Sequence, residues 1–595
     1  MTTRRQLLKA GVAFAACGLN GRRIAALPGA IFAPANGSSQ AIPPGRLPSR
    51  SDVVMSTRVA RPDALEMLSA FHATRNEWLY TNDAAYVARM KQVVGHVGLS
   101  VNLSMRNQTT APSPDVKAAV GSNAARNLDG SIMVAPWMGD KTPFNSTFDP
   151  NWRTTLMNTV KNDVAIGADS IQGDDPEMET SILRFAGGDF SSNAIAAFQS
   201  YCKSPSAHPG CRDLDNLHGD MSKWIRQRAG TSGQIDWKDF KQKHGSEPAW
   251  EAWTSFMREV TVQFLGTVRQ YLHSQQRPLP FSINVNNPLP IAASAFLFDS
   301  ADYLISEINS LNWPRQLTAY HATTAAWKMP FVPSIVPIST ADTQWAIALA
   351  YALGDTPLVP WNVFVVHQPR YFGSVADYGY LFDFVRANSR YFDDYDEVSD
   401  VAVVCDENSI TPELLYSAAT VFTGLGVTFR FVVLRSNGTI TGTHPTPFPA
   451  QVAVALNVPE SRVKSLFPSI PSIGLSELSP NGFSPALDRA LHTVTPNPQR
   501  VVAVPRIDKA SGTLLVHVVD ATKSNSGFSE SQFLNVIVPK SYWAYVQGVQ
   551  RALLVRPRAN SLQRPVTVTR NSNNITLRVS LAGISGWGML VFQRS

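Results

Sequence analysis

Cysteine is scarce in this chain, with four residues in 595, which excludes a disulfide-framework fold. Cys17 falls in the N-terminal leader and Cys405 inside an apolar strand-like run. Cys202 and Cys211 flank a short Pro/Gly/Ser loop, a spacing compatible with one disulfide in an oxidising compartment. It lacks the tight C-x2-4-C step of a zinc knuckle, although His208 lies between the two. No His-x-x-x-His or Asp-x-His cluster and no Gly-rich dinucleotide fingerprint or haem motif occurs, so no metal and no cofactor is expected. A metal-dependent esterase or deacetylase is disfavoured on the same ground. No apolar run is long enough to span a bilayer, and no internal repeat or heptad pattern is apparent.

The formal charge of +7 is mostly leader. Arg4, Arg5, Lys9, Arg22 and Arg23 precede residue 46 with no acid among them, leaving about +2 for the remainder. No basic run elsewhere suggests a nucleic-acid footprint. Paired arginines followed by the small apolar run Ala10 to Leu19 match a twin-arginine export signal, with cleavage expected between Ala25 and Ala35. The expected location is periplasmic or secreted, with residues 1–45 as signal and linker.

From about Ser51 to Tyr391 strand-like and helix-like segments alternate, the mark of an α/β fold. Strands are predicted at Leu68–Ala73, Val97–Leu103, Ser131–Pro136, Ser170–Gly173, Pro280–Val285, Tyr303–Glu307, Phe331–Pro337 and Pro357–Trp361. Eight such units over residues 46–395 predict a (β/α)8 TIM barrel. An insertion at 179–248, polar, rich in Gly and Ser and carrying Trp224 and Trp237, should rise over the mouth. Beyond it, residues 396–485 read as a small α/β, flavodoxin-like domain, and residues 486–595 as a β-sandwich of short strands separated by polar turns.

The most informative segment is Gly167-Ala168-Asp169-Ser170-Ile171-Gln172-Gly173-Asp174-Asp175-Pro176-Glu177-Met178. A strand-like run ends in two carboxylates and a proline, which forces a turn. In a barrel the C-terminal strand ends converge on one pocket. Taken in order, the predicted ends supply His72, Arg75 and Trp78; Asn102 and Arg106; Trp137; Asp174 and Asp175; Asn284 and Asn286; Glu307; and Trp361 and His367. Carboxylates, amides, cations and flat rings are what a sugar site needs. Asp174 or Asp175 would be the ionised partner and Glu307, on an apolar flank, the protonated acid. A barrel-mouth ion pair between Glu307 and Arg75 or Arg106 is the structural alternative, as is a hydrogen-bond network for His72 and Arg75.

The domain order, with His72-Ala73-Thr74-Arg75-Asn76-Glu77-Trp78 and Ile171-Gln172-Gly173-Asp174-Asp175-Pro176, resembles multidomain TIM-barrel glycoside hydrolases. Among these are the family 42 β-galactosidases and several hypothetical glycosyl hydrolase families. That resemblance implies a glycosidase acting on an oligosaccharide or polysaccharide. The β-galactosidase clan keeps an Asn-Glu acid/base on strand four and a Glu nucleophile on strand seven. Here strand four carries Asp174-Asp175 and strand seven, Phe331 to Pro337, has no acid. A strand-four nucleophile with a strand-six acid resembles instead the α-galactosidases and α-fucosidases, implying an α-linked or furanosidic substrate. The competing expectation is a non-catalytic carbohydrate-binding or polysaccharide-assembly protein on the same scaffold. A homo-oligomer is compatible with either.

Overall fold

A computed structural model describes residues 46–105, 123–136, 142–205, 207–230, 235–309, 313–336, 339–360, 364–365, 368–369, 374–435, 439–441, 449–478, 485–495, 500–521 and 527–594. The leader, Arg106, Trp137, Trp361 and His367 lie outside them.

Eight parallel strands close into a barrel: β1 Val54–Ser56, β2 Arg75–Tyr80, β3 His96–Asn102, β4 Ser170–Asp174, β5 Phe281–Asn284, β6 Tyr303–Asn309, β7 Phe331–Val336 and β8 Leu358–Pro360. Pairing of β1 with both β2 and β8 completes the circle. Outward residues such as Leu99, Ile171, Ile283, Leu304 and Ile335 bury against the surrounding helices. Trp78, Tyr80, Tyr303, Ile305, Val332 and Leu358 form a separate inner cluster, so the barrel is filled rather than hollow. Helices begin where acceptors can cap them. Asp83 accepts from the Tyr86 amide at the start of α2 (Ala84–Val94), and Asp149 caps α3 (Pro150–Ala165) in the same way.

Two of the eight predicted strands are wrong, and two real ones take their places. Leu68–Ala73 straddles the last turn of a helix, α1 (Pro62–Ala70), because Ala64, Leu68 and Phe71 recur at helical spacing on one buried face. Ser131–Pro136 belongs to the connection after β3, held only by isolated bridges such as Arg126 to Ile132. The true first strand is three residues long. The true second, Arg75–Tyr80, reads as a loop because its inward groups include an ion pair instead of apolar side chains.

The insertion is not a polar loop. After α4 (Met178–Ala186) come α5 (Ser192–Cys202), a 3-10 turn Pro209–Leu217, α6 (Met221–Ala229), α7 (Trp237–His244) and the 26-residue α8 (Pro248–His273). They close on a core of their own built on Phe198, Trp224, Phe240, Trp250, Trp253 and Phe256. Trp224 is buried and Trp237 stacks on Phe190, so these tryptophans serve that core. Cys202 and Cys211 are bonded, with Cα atoms 5.3 Å apart, pinning α5 to the 3-10 turn.

After the barrel comes a sheet of parallel strands, β9 (Val401–Asp406), β10 (Phe429–Leu434), β11 (Val452–Ala455) and β12 (Ser472–Gly474), in the order β10-β9-β11-β12. That order is flavodoxin-like. The C-terminal strands are antiparallel: β13 (Val501–Asp508), β14 (Thr513–Asp520), β15 (Phe533–Pro539), β16 (Val549–Arg556), β17 (Ala559–Arg570), β18 (Asn574–Ser580) and β19 (Trp587–Arg594). The long β17 pairs with β16 along its first half and β18 along its second, joining two layers over a core that includes Val516, Leu554, Val536 and Leu577. Trp587 packs this unit against Tyr351, Phe384 and Phe392 of the barrel side.

A buried imidazole joins the parts. His321, on helix α9 (Trp313–Ala326), places Nδ1 2.8 Å from Asp355 and Nε2 3.2 Å from Glu397 in the segment leaving the barrel. Burial alone would lower the imidazole, but the two carboxylates outweigh it and push it up to about 10. Because the folded value lies above the unfolded one, this clamp contributes fully below about pH 6.5 and is lost as pH rises towards 10. Wild-type melting temperature should therefore fall across pH 7 to 10. His321→Gln should be less stable at pH 7 by about 3–5 kcal/mol, with most of that alkaline slope removed, read by urea melts at each pH.

Candidate active site

Asp174 ends β4 and is 6 % exposed. A buried carboxylate needs donors, and here they come from four directions. Asn284 on β5 donates Nδ2 to Oδ1 at 2.9 Å, and the Asp175 amide donates to the same oxygen at 3.2 Å. On β2 the Tyr80 hydroxyl donates to Oδ2, and the Trp78 indole donates to it at 3.3 Å. The Arg58 guanidinium lies 3.8 Å from Oδ2 and 3.7 Å above the Trp78 ring.

Reaching Asp174 from β2 requires a break in strand alternation. Arg75 and Glu77 already face inward, so regular alternation would turn Trp78 and Tyr80 outward. A bulge between Asn76 and Leu79, with Trp78 at φ 60, reverses the phase and brings Trp78 and Tyr80 inside. Bulges serve this re-aiming purpose beside active sites. Arg58 (φ 58) and Asp175 (φ 52) are likewise left-handed non-glycine residues, so three strained positions surround one carboxylate.

Asp175 is half-buried and accepts from Asn102 Nδ2 at 2.8 Å. Asn102 Oδ1 in turn accepts from the Ser104 and Met105 amides, locking the turn after β3. Two atoms beside Asp174, Arg58 Nη1 and Asn284 Oδ1, are buried without a hydrogen bond among the described residues. Glu307 is half-buried on β6. Asn284 pairs with Ile305, an inner-cluster residue, so Glu307 shares that inward phase two residues nearer the mouth, about 7 Å above the Asn284 level. It thus lies at the same end of the barrel as Asp174. Asn286 is exposed just beyond β5.

His72 and Arg75 do not belong to this pocket. Both sit at the N-terminal end of β2, the face opposite the mouth, because the predicted strand was placed one element too early. His72 is exposed beside Asp383 at 3.6 Å. Arg75 is buried 2.9 Å from Glu77 and 3.8 Å from Asp52, not paired with Glu307. Burial would raise the Glu77 carboxyl, but Arg75 and His96 outweigh it and hold it at about 2. Tyr303 and Ser170 donate to Glu77 as well, at 3.0 and 3.2 Å.

Three residues were missed by sequence reasoning: Arg58, Tyr80 and Glu177. Only Glu177 carried a signal, as the next acid after Pro176. Its carboxyl is pushed up to about 7, chiefly by burial, with the charge of Asp174 adding to it. Among the described residues no group of three or more His, Cys, Asp or Glu could hold a metal, and no helix is long and apolar enough to cross a membrane.

Neither a family model nor a curated protein matches the sequence. Solved structures do. Alpha-L-fucosidase isoenzyme 2 from Paenibacillus thiaminolyticus matches with a TM-score of 0.61 at 10% identity, over 91% of this chain and 99% of that one. The β-galactosidase from Bacillus circulans sp. alkalophilus matches with a TM-score of 0.53 at 9% identity, over 90% and 99%. The β-galactosidase from Rahnella sp. R3 gives 0.52 at 10%, over 89% and 99%. The chain therefore has the fold of multidomain TIM-barrel glycosidases.

The network at the closed end leaves no room for a side chain at position 98. A Cβ on Gly98 would lie 1.8 Å from Glu77 Oε2 and 2.7 Å from Ser170 Oγ. Gly98→Ala should destabilise the fold by about 2–3 kcal/mol in urea melts. A loss below about 0.5 kcal/mol would mean that the network can move aside.

Proposed function

We propose that this chain is an exported glycoside hydrolase that cleaves an oligosaccharide or polysaccharide by a retaining, two-carboxylate mechanism. Asp174 is the nucleophile and Glu307 the acid/base. The observation that carries the reading is the donor cage of Asp174, which stabilises its ionised form while burying it at the mouth. Asp175 is committed to Asn102 and to bracing its neighbour, which favours Asp174 over Asp175.

In the first step an Asp174 oxygen bonds to the anomeric carbon. The glycosidic C–O bond breaks, and Glu307 gives its proton to the departing oxygen. The 3.3 Å indole contact is the longest hydrogen bond in the cage, so the lone pair facing it is the one available for attack. In the second step water attacks the same carbon, Glu307 takes its proton, and the bond to Asp174 is released. Arg58 Nη1 and Asn284 Oδ1, the two atoms left without hydrogen bonds, would engage the hydroxyls of the bound sugar. Acids on strands four and six, with a fold shared with an α-L-fucosidase, support an α-linked substrate. Export by the twin-arginine route is supported by the leader sequence and by the Cys202–Cys211 bond.

A second reading of the acid rests on Glu177. A carboxyl raised to about 7, chiefly by burial and partly by the charge of Asp174, has the character of a general acid. Its protonated fraction falls as pH rises through 7, so a Glu177-dependent enzyme would lose turnover on that alkaline limb.

Over a panel of plant and bacterial glycans, Asp174→Asn should lower kcat/KM by about 10³-fold or more while leaving sugar binding intact. Glu307→Gln should lower it by about 10²–10⁴-fold for substrates with poor leaving groups, and far less for activated aryl glycosides. If Glu177→Gln instead gives that pattern and flattens the alkaline limb, the acid is Glu177. Full turnover by Asp174→Asn would remove Asp174 as the nucleophile. Sugar binding by a wild type that never turns over would leave a carbohydrate-binding protein.

A further inference from the structure

Charge is distributed very unevenly along the chain. Residues 531–595 contain eight basic side chains, Lys540 and seven arginines, and not one Asp or Glu. With +5 in residues 1–45 and +7 in total, everything from 46 to 530 carries a net −6. The last five strands, β15 to β19, are thus a cationic segment following an anionic one. Among the described residues only one of the eight has a carboxylate within 4 Å, Arg564 to Glu530 at 3.6 Å. Arg556, Arg558 and Arg594 are spent on backbone carbonyls, the first donating to Gly583, the second to Ala376 at 3.3 Å and the third to Gly512 at 2.6 Å.

Three arginines remain facing solvent: Arg551, Arg570 and Arg578. Arg551 on β16 pairs with Pro565 on β17, and Thr567, two residues further along β17, pairs with Arg578 on β18. Pro565 and Thr567 share one face of the strand, so Arg551 and Arg578 stand on one outer surface, about 12 Å apart; Arg570, paired with Ile575, is on the other phase and exposed at the end of β17 beside the turn to β18. Thr567, Thr569 and Gln563 are exposed on the same strand, and Arg578 is held flat 4.0 Å over the Phe533 ring. Like charges on neighbouring strands cost stability unless something offsets them.

We propose that this surface binds an acidic polysaccharide, holding carboxylate or sulfate groups of the polymer whose bonds the barrel cleaves. This deepens the glycosidase reading and rests on it for the word substrate. Arginine forks suit anions that offer two adjacent oxygens, and the interleaved hydroxyls and amides suit sugar hydroxyls. Among the described residues no large aromatic side chain is exposed on this surface for a nucleic-acid strand to stack on, Phe533 being covered by Arg578.

The test is affinity electrophoresis of the full chain through gels containing polygalacturonate, dextran sulfate or uncharged dextran, at 50 and 300 mM salt. Strong retardation by one or both polyanions, none by dextran, and marked weakening at high salt are expected. The triple variant Arg551→Gln, Arg570→Gln, Arg578→Gln should bind about tenfold more weakly with an unchanged melting temperature. Should the triple variant fail to fold, Arg578→Gln alone should still weaken binding about twofold. Equal retardation by dextran, a folded triple variant that binds as wild type does, or tighter binding to phosphatidylglycerol vesicles or to DNA overturns the proposal. The gels contain no turnover step, so a chain inactive on every glycan yet retarded by polygalacturonate keeps the surface and loses only the hydrolase.

Discussion

A carboxylate buried at the rim of a barrel is costly unless every side of it is answered, and the architecture around Asp174 is organised to answer it. β5 supplies an amide, β2 an indole and a phenol, the turn after β4 a peptide N–H, and the segment after β1 a guanidinium. None of these elements is a neighbour of all the others in sequence. Only closure of the sheet, with β1 pairing to both β2 and β8, brings them to one point. The left-handed backbones at Arg58, Trp78 and Asp175 are the local strain accepted for that convergence.

The two ends of the barrel treat charge in opposite ways. At the closed end Arg75, Glu77, His96 and Ser170 satisfy one another, and Gly98 is kept bare to make room. At the mouth the Asp174 cage leaves Arg58 Nη1 and Asn284 Oδ1 without hydrogen bonds inside the protein. A self-satisfied network holds a fold together, whereas an incompletely satisfied one is positioned to receive a ligand. The insertion after α4 reinforces the mouth side with its own aromatic core and a disulfide, so the Asp-Asp-Pro turn leads into a rigid unit.

Much of this was legible in the sequence and some of it was not, for identifiable reasons. The carboxylates before Pro176, the domain order and the Cys202–Cys211 pairing depend on local residue types, which a sequence displays directly. Strands β3 to β8 were found from their apolar runs. β2 was missed because Arg75-Asn76-Glu77 is polar, its burial being made tolerable only by partners on other strands. That error moved His72 and Arg75 to the wrong end. The contribution of Tyr80 depends on a bulge that reverses side-chain phase, which no periodicity reveals. Arg58 has no motif at all. The tryptophans of the insertion, Trp224 and Trp237, read as part of a polar segment over the mouth, and packing places them in that unit's own core.

A retaining mechanism in this barrel requires Asp174 to become bonded to the sugar. Incubation with 2-deoxy-2-fluoroglycosyl fluorides of several configurations, followed by peptide mass spectrometry, measures this directly. A single fluoroglycosyl adduct on Asp174 is the expected result, with none when Asn replaces it. An adduct on Asp175, Glu177 or Glu307 would contradict the assignment of the nucleophile.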